Sequence, residues 1–201
     1  LSDFNHSGSG QNLLWDMKRA LSIREITGHI DSSSARIMVE RALTDFERYA
    51  LPKFDSIRWQ VIHNDMNPDN VLIDISEKRK VCGMIDFGDM VYSPLIIDLA
   101  VAAAYLDTDE GNPMLLMNHF IAGYNQETPI LQEELEILFD LIKTRIATTV
   151  AVLEWRKSFR DKHDPYLELN SNDRSINLLA RCMEIPRDHA IQNFKQICAK
   201  E

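Results

Sequence analysis

The sequence predicts an α+β protein in which a small β-hairpin sheet packs against a bundle of helices. Two patterns lead to this fold class. The first is a set of three short β-prone runs between residues 59 and 85. The second is helical: much of the remaining chain has apolar residues at helical spacing or begins a segment with a proline. The chain has 201 residues, of which 45% are hydrophobic, so it is long enough to form one domain or one large lobe with its own core.

The first predicted helix covers residues 32–50. Its apolar or small residues recur every three or four positions, while charged residues occupy the other faces. Pro52 is expected to end this helix, because proline lacks the backbone N–H that a helix interior requires. Residues 1–12 begin with a polar stretch rich in Ser and Gly, which predicts a linker or loop.

The β-prone runs are residues 59–62, 71–75 and 81–85. The last two are separated by the charged residues 76–80, which suit the loop of a β-hairpin. We therefore expect a strand, a loop, and then a hairpin that returns the chain to the end of that loop.

The chain after residue 92 is predicted to be helical. Three pairs place a capping residue before a proline, a common start of a helix: Ser93-Pro94, Asn112-Pro113 and Thr128-Pro129. The helices that follow these pairs are expected over residues 95–106, 113–124 and 131–157, and two more over 174–183 and 187–200. The long helix is expected to be followed by a break at Pro165 and the polar residues 170–173.

Charge and composition narrow the possible partners. The chain has 22 Lys and Arg against 31 Asp and Glu, a net charge of −9, which argues against nucleic-acid binding because that function needs a basic surface. An acidic surface is compatible with a cationic small substrate. No apolar run is long enough to span a membrane. The three widely spaced cysteines predict reduced thiols in a cytoplasmic protein, with Cys82 inside the core.

The residues that carry chemistry lie at the ends of the β-prone runs. Asn70 follows Asp65 by five residues, and Asp86 follows Asn70 by sixteen, one hairpin further along. Transfer of a phosphoryl group from ATP requires a carboxylate at the acceptor hydroxyl and oxygen ligands for Mg²⁺. Protein kinases carry an Asp, an Asn and a second Asp in this pattern. The spacing therefore predicts a kinase-type site, with Asp65 at the acceptor and with Asn70 and Asp86 at the metal.

The same part of the chain carries a family resemblance. Its strings are H-N-D-x-N-x-x-N over residues 63–70, I-D-F-G-D over 85–89 and I-D-L-A over 97–100. With them the sequence resembles the aminoglycoside phosphotransferase and choline kinase superfamily. It looks most like the hydroxylysine kinase branch, which includes kinase domains fused to class III aminotransferases. The resemblance implies a protein-kinase-like fold, of which residues 1–201 are the helix-rich C-terminal lobe.

The resemblance also implies roles for individual residues. Asp65 is expected to be the catalytic base or to orient the acceptor hydroxyl, and Asn70 and Asp86 to bind Mg²⁺ and, through it, ATP. His63 is expected to pack beneath the metal-binding segment. Asp98 is expected to tether the catalytic loop through backbone amides.

Two features depart from the family pattern. Some relatives place a second acid two residues after the metal-binding Asp, where this chain has Gly88 and then Asp89, so the role of Asp89 stays open. The chain also has no Gly-rich phosphate loop. We therefore expect the N-terminal kinase lobe to be absent, residues 1–12 to be a linker or loop from that lobe, and the 201-residue chain to be inactive in isolation.

Two functions remain open. The first is an ATP-dependent kinase that phosphorylates a hydroxyl of a small amino alcohol, a hydroxy amino acid or an aminoglycoside-like acceptor. The second is a catalytically inactive kinase-like binding module within a larger multidomain protein, such as one fused to an aminotransferase. The intact set of Asp65, Asn70 and Asp86 favours the first, because an inactive module has no physical need for all three oxygen ligands.

Overall fold

The computed structural model describes residues 3–77, 80–108, 110–161, 164 and 172–199. Within these ranges the chain forms six α-helices, which are α1 Ser33–Asp45, α2 Leu95–Ala103, α3 Met114–Glu127, α4 Gln132–Lys157, α5 Asp173–Met183 and α6 Arg187–Cys198. Segments of 3₁₀-helix cover Ser7–Gly10, Met17–His29, Leu51–Ser56, Pro68–Asn70 and Phe87–Asp89, and a π-helical turn covers Phe46–Ala50. Pro165, residues 170 and 171, and the hairpin-loop residues 78 and 79 lie outside the described part of the chain.

Four short strands form two separate antiparallel pairs. They are β1 Trp59–Ile62, β2 Val71–Ile73, β3 Val81–Met84 and β4 Val91–Pro94. Strand β1 pairs with β4, and β2 pairs with β3 as the predicted hairpin. The predicted α+β fold, in which a small hairpin sheet accompanies a helical bundle, is therefore confirmed.

Strand β4 occupies residues whose pattern predicts a helix start. Ser93 and Pro94 lie in the strand, with Pro94 opposite Trp59, and the Ser93 hydroxyl has no hydrogen-bond partner among the described residues. Helix α2 begins at Leu95, whose N–H donates to Arg58 O at 2.8 Å. The prediction that Ser93 caps this helix is wrong. Proline cannot donate to a sheet, but it is tolerated in an edge strand, so Ser-Pro is not specific for a helix start.

Helix α4 is the centre of the bundle. It packs against the Met17–His29 segment and against α1, α2, α5 and α6, so residues on all of its sides are buried. Among them are the charged residues Asp140, Lys143 and Arg145, and a buried charge needs a partner from a neighbouring element. None of the described helices is both long and apolar enough to cross a membrane.

The two strands of the β2–β3 hairpin expose their side chains. Leu72 is 43% exposed, Val81 60% and Met84 52%, and Cys82 is exposed as well. The expectation that Cys82 lies in the core is therefore wrong. A β-prone run indicates a strand, but it carries no information on whether another layer covers that strand.

The predicted linker touches the candidate active-site region. Residues Ser7–Gly10 form a 3₁₀ turn, and Gln11 Nε2 donates to Gly88 O at 2.8 Å and to Met90 O at 3.1 Å. Residues 11 and 12 thus lead directly into the packed part of the chain. The assignment of residues 1–12 as a linker stays a prediction.

Candidate active site

Helix α2 anchors the loop that follows β1. The carboxylate of Asp98, in the first turn of α2, accepts hydrogen bonds from the backbone N–H groups of His63 and Asn64, at 3.1 and 2.8 Å. Asn64 has a φ of 66°, a left-handed conformation that turns the chain sharply. A partly buried carboxylate from a helix that follows later in the chain therefore sets the direction in which this loop leaves the sheet.

Asp98 should make the stability of the protein depend on pH. Burial raises the pKa of Asp98 above the ordinary value of 3.8, although the N–H groups of Asn64 and His63 act in the opposite direction. A carboxyl whose pKa is higher in the folded than in the unfolded state stabilises the fold fully at pH values below the pKa of the unfolded state. This contribution is lost as the pH rises through the pKa of the folded state. We expect the wild type to gain stability relative to Asp98→Asn as the pH falls from the folded-state pKa of Asp98 to its unfolded-state pKa.

Urea unfolding at several pH values measures this difference in the free energy of unfolding. Asp55→Asn is the matched control, because it makes the same change on an exposed carboxylate. Wild-type and Asp98→Asn curves that run parallel from neutral pH into the acid range would contradict the prediction.

His63 joins the loop to the segment after β3. Its Nε2 lies 2.9 Å from the carbonyl oxygen of Ile85, and its ring centroid lies 5.2 Å from that of Phe87. The Ile85 N–H donates in turn to Asn70 O at 3.0 Å. The two segments that carry the predicted metal ligands therefore lie side by side.

Asn70 and Asp86 offer oxygen atoms of the kind that Mg²⁺ prefers. The Nδ2 of Asn70 donates to Asp65 O at 2.8 Å, which leaves its amide oxygen for another ligand. Asp86 has a φ of 62°, which is unfavourable for a residue other than glycine. Its exposed carboxylate makes no hydrogen bond or ion pair with the residues that the structure describes.

The donor atoms of these two side chains suit a magnesium ion in their chemistry. An unpaired carboxylate on a strained backbone is typical of a ligand-binding position. The described residues contain no group of three or more His, Cys, Asp or Glu that could hold a metal. Phosphate and water would therefore supply the remaining ligands, as they do at many Mg²⁺ sites.

Both carboxylate oxygens of Asp65 are held by hydrogen bonds. Oδ1 accepts from Arg145 Nη2 at 2.7 Å, and Oδ2 accepts from Asn67 Nδ2 at 3.1 Å. The Arg145 side chain is 5% exposed, and it also donates to the Tyr105 hydroxyl at 2.9 Å and to Trp15 O at 3.5 Å. Because several groups fix this guanidinium, it holds the Asp65 carboxylate in one orientation.

No local motif in the sequence points to Arg145, which lies 80 residues after Asp65. One signal was available in the periodicity of α4. Residues 138, 141, 142 and 146 form an apolar stripe, and position 145 falls on the same face. A charge on an apolar face requires a buried partner, whereas Trp15 and Tyr105 carry no such signal.

A cavity of about 620 Å³ opens beside Asp65, a size that suits a small molecule. Its lining combines acidic and amide side chains from the loops with arginines from α4 and α5. These are Asp65, Asn67, Asp69, Asp89, Arg145, Arg156 and Arg174. Asn70 and Asp86 are not among the lining residues. The structure therefore brings Asp65 and Asp89 to the cavity and leaves the two predicted metal ligands outside it.

Asp89 is a second carboxylate at this cavity. Its Oδ2 accepts a hydrogen bond from Trp15 Nε1 at 2.9 Å. Burial is the main cause that raises the pKa of Asp89, and the negative charges of Asp65 and Asp86 raise it further. Asp65 and Asp86 are therefore both within electrostatic reach of Asp89.

Comparison with known proteins supports the resemblance. A family model described as Phosphotransferase enzyme family (APH) matches residues 11–133. Hydroxylysine kinase from Mus musculus is 24% identical over 181 residues, which are 85% of this chain and 48% of that protein. Hydroxylysine kinase from Xenopus laevis is 23% identical over 165 residues, 79% of this chain and 44% of that protein. The Danio rerio hydroxylysine kinase is 21% identical over 196 residues, with coverages of 93% and 55%.

The chain thus spans about half the length of the curated relatives it matches. The predicted superfamily and its hydroxylysine kinase branch are confirmed, whereas the roles assigned to single residues stay predictions. The family match covers more than half of the chain and includes every candidate site residue from His63 to Asp98. The chain therefore belongs to the phosphotransferase enzyme family.

Proposed function

We propose that the protein containing this chain is an ATP-dependent kinase that phosphorylates a hydroxyl of a small amino alcohol, a hydroxy amino acid or an aminoglycoside-like acceptor. Family membership supports the reaction, and similarity to hydroxylysine kinases supports an amine-bearing acceptor. The observation that carries the proposal is the position of Asp65. Its carboxylate lines a cavity of small-molecule size, while its backbone carbonyl accepts from Asn70.

Asp65 acts on the acceptor hydroxyl. An ionised carboxylate has lone pairs beyond those that Arg145 and Asn67 use, so it accepts a hydrogen bond from the hydroxyl and orients the oxygen for attack on the γ-phosphorus of ATP. The new O–P bond forms as the bond to the β-phosphate oxygen breaks, and the hydroxyl proton passes to Asp65. Arg145 and Asn67 keep the carboxylate directed at the acceptor.

The remaining site residues serve the nucleotide. Asn70 and Asp86 would hold Mg²⁺, which neutralises charge on the phosphates when it is bound. His63 and Asp98 hold the two loop segments in register. We also propose that residues 1–201 are the C-terminal lobe, that an N-terminal lobe of the same protein covers the nucleotide, and that the isolated chain is inactive.

Acceptor-dependent release of ADP by the full-length protein tests the proposal. With Mg²⁺ and ATP, we expect turnover with at least one of ethanolamine, 5-hydroxylysine and kanamycin, and we expect chelation of Mg²⁺ to stop it. L-Lysine, which lacks the hydroxyl, is the matched control for 5-hydroxylysine. No release of ADP above the background rate with any of these acceptors would favour the alternative, a catalytically inactive kinase-like binding module within a larger multidomain protein.

A further inference from the structure

We infer that Asp89, Trp15 and Arg156 form a headgroup site, which binds an amino acid acceptor by its α-ammonium and α-carboxylate groups. The inference rests on the proposed function and narrows its acceptor from any small amine that carries a hydroxyl to an amino acid. Asp89 binds the ammonium group, Arg156 binds the carboxylate, and the Trp15 indole sets the distance between them.

The indole of Trp15 contacts both charged groups. Its Nε1, at the edge of the ring, donates to Asp89 Oδ2 at 2.9 Å. The guanidinium carbon of Arg156 lies over the ring, 5.5 Å from the centroid. All three side chains line the same cavity. A negative charge therefore lies at the edge of the indole and a positive charge lies above its face.

An amino acid headgroup can span the distance between these charges. The Asp89 oxygen lies 2.9 Å from Nε1 at the ring edge, and the Arg156 guanidinium carbon lies above the ring face, 5.5 Å from the centroid, so the indole separates the two charged groups. The ammonium nitrogen and carboxylate oxygens of an amino acid are about 3 Å apart, and a hydrogen bond of about 2.8 Å at each end extends the span to roughly 8 Å. A zwitterion therefore contacts both side chains, whereas a simple amine contacts one.

The charges around the cavity favour a zwitterion over a simple cation. At the acidic end, Asp65 already has Arg145 as its partner. Asp69 and Asp89 also line the cavity, and of these two Asp89 is the one that the Trp15 indole holds in place for an ammonium group. At the basic end, Arg174 of α5 and Arg156 of α4 both line the cavity. Each guanidinium has five N–H donors, more than one partner uses, so Arg156 can donate to a ligand in addition to its protein contacts.

The headgroup site lies close to Asp65. Arg145 donates to Asp65 Oδ1 through Nη2 and to the backbone carbonyl of Trp15 through Nη1, so a single guanidinium group bridges Trp15 and the carboxylate. An amino acid whose headgroup is held at Trp15 can therefore present a side-chain hydroxyl to Asp65. This places the acceptor within the cavity, with its reacting end toward the loop.

Calorimetric titration of the full-length protein tests the site without turnover. The probes are L-lysine, cadaverine, which lacks the carboxylate, and 6-aminohexanoate, which lacks the α-ammonium group. We expect the wild type to bind lysine about 10- to 100-fold more tightly than either analogue, as expected for the loss of one charge-assisted contact. Arg156→Gln should bind lysine and cadaverine equally, and Asp89→Asn should bind lysine and 6-aminohexanoate equally. Lys157→Gln, at the next and exposed position of α4, should behave as the wild type.

Three results would overturn the headgroup site: undetectable binding of lysine, equal affinity of the wild type for lysine and cadaverine, or an equal loss for all probes in Arg156→Gln. If Asp89 is instead a metal ligand, the Asp89→Asn variant should bind Mg²⁺ more weakly and still prefer lysine over 6-aminohexanoate. That result would also overturn the headgroup site. The proposed function is tested by a separate result. If the protein binds lysine in the expected pattern but releases no ADP with 5-hydroxylysine, the proposed function is wrong while the headgroup site stands.

Discussion

Replacement of Asp65 by Asn is expected to lower the turnover of the full-length protein by about 10²–10⁴-fold, the range for loss of a general acid or base. The amide is almost the size of the carboxylate, but its NH₂ group must face a donor from either Arg145 or Asn67. The variant therefore loses both the acceptor for the hydroxyl proton and the fixed orientation of the carboxylate. Affinity for Mg-ATP should barely change, because Asp65 is not one of the proposed metal ligands.

The measurement is the steady-state rate of ADP release at saturating acceptor, together with the KM for Mg-ATP. Asp55→Asn makes the same change on an exposed carboxylate that does not line the cavity, and it should keep wild-type turnover. Normal turnover in Asp65→Asn would remove this residue from catalysis. A loss matched by a rise in the KM for Mg-ATP would assign Asp65 to nucleotide binding instead.

Replacement of Asp140 by Ala is expected to destabilise the helical bundle by about 3–5 kcal/mol, the cost of removing one partner from a buried ion pair. Asp140 is completely buried. Its Oδ2 pairs with Arg187 Nε at 2.7 Å, and its Oδ1 pairs with Lys143 Nζ at 3.3 Å. Lys143 also pairs with Asp45 at 2.7 Å, so the cluster joins α4 to both α6 and α1.

Hydrogen exchange of the α4 backbone amides in the full-length protein measures this loss, because exchange reports the free energy of opening for each part of a structure. Arg24→Ala is the control. It removes an ion pair with Glu47 at 2.8 Å whose side chains are 36% and 49% exposed, and such a pair contributes about 0–1 kcal/mol. Unchanged protection of α4 in Asp140→Ala would show that the buried cluster does not stabilise the bundle.

The spacing of the candidate active site could be predicted because its geometry is local. Five residues separate Asp65 from Asn70, and one hairpin separates Asn70 from Asp86, so the covalent chain itself brings these segments together. The start of α1 is local in the same way, since Ser32 Oγ accepts from the N–H of Ala35, three residues later. Such contacts depend on residue types at short, fixed separations, which a sequence displays directly.

Contacts between distant elements could not be predicted in this way. The pairing of β4 with β1, the exposure of Cys82 and the approach of Arg145 to Asp65 each depend on how separate elements pack. The face that α4 turns toward the catalytic loop is set by all the elements that fill the space around it, because a protein interior is close-packed.

By itself, the sequence determined the order of helices and hairpin and the string that carries Asp65, Asn70 and Asp86, because these are encoded in local spacing and periodicity. The same string carried the resemblance to the family. The tertiary structure alone decided which side chains surround the two carboxylates at the cavity. Arg145 holds Asp65, and Trp15 holds Asp89. These partners are 80 and 74 residues apart in the chain, and they meet because packing, not covalent connection, brings their elements together.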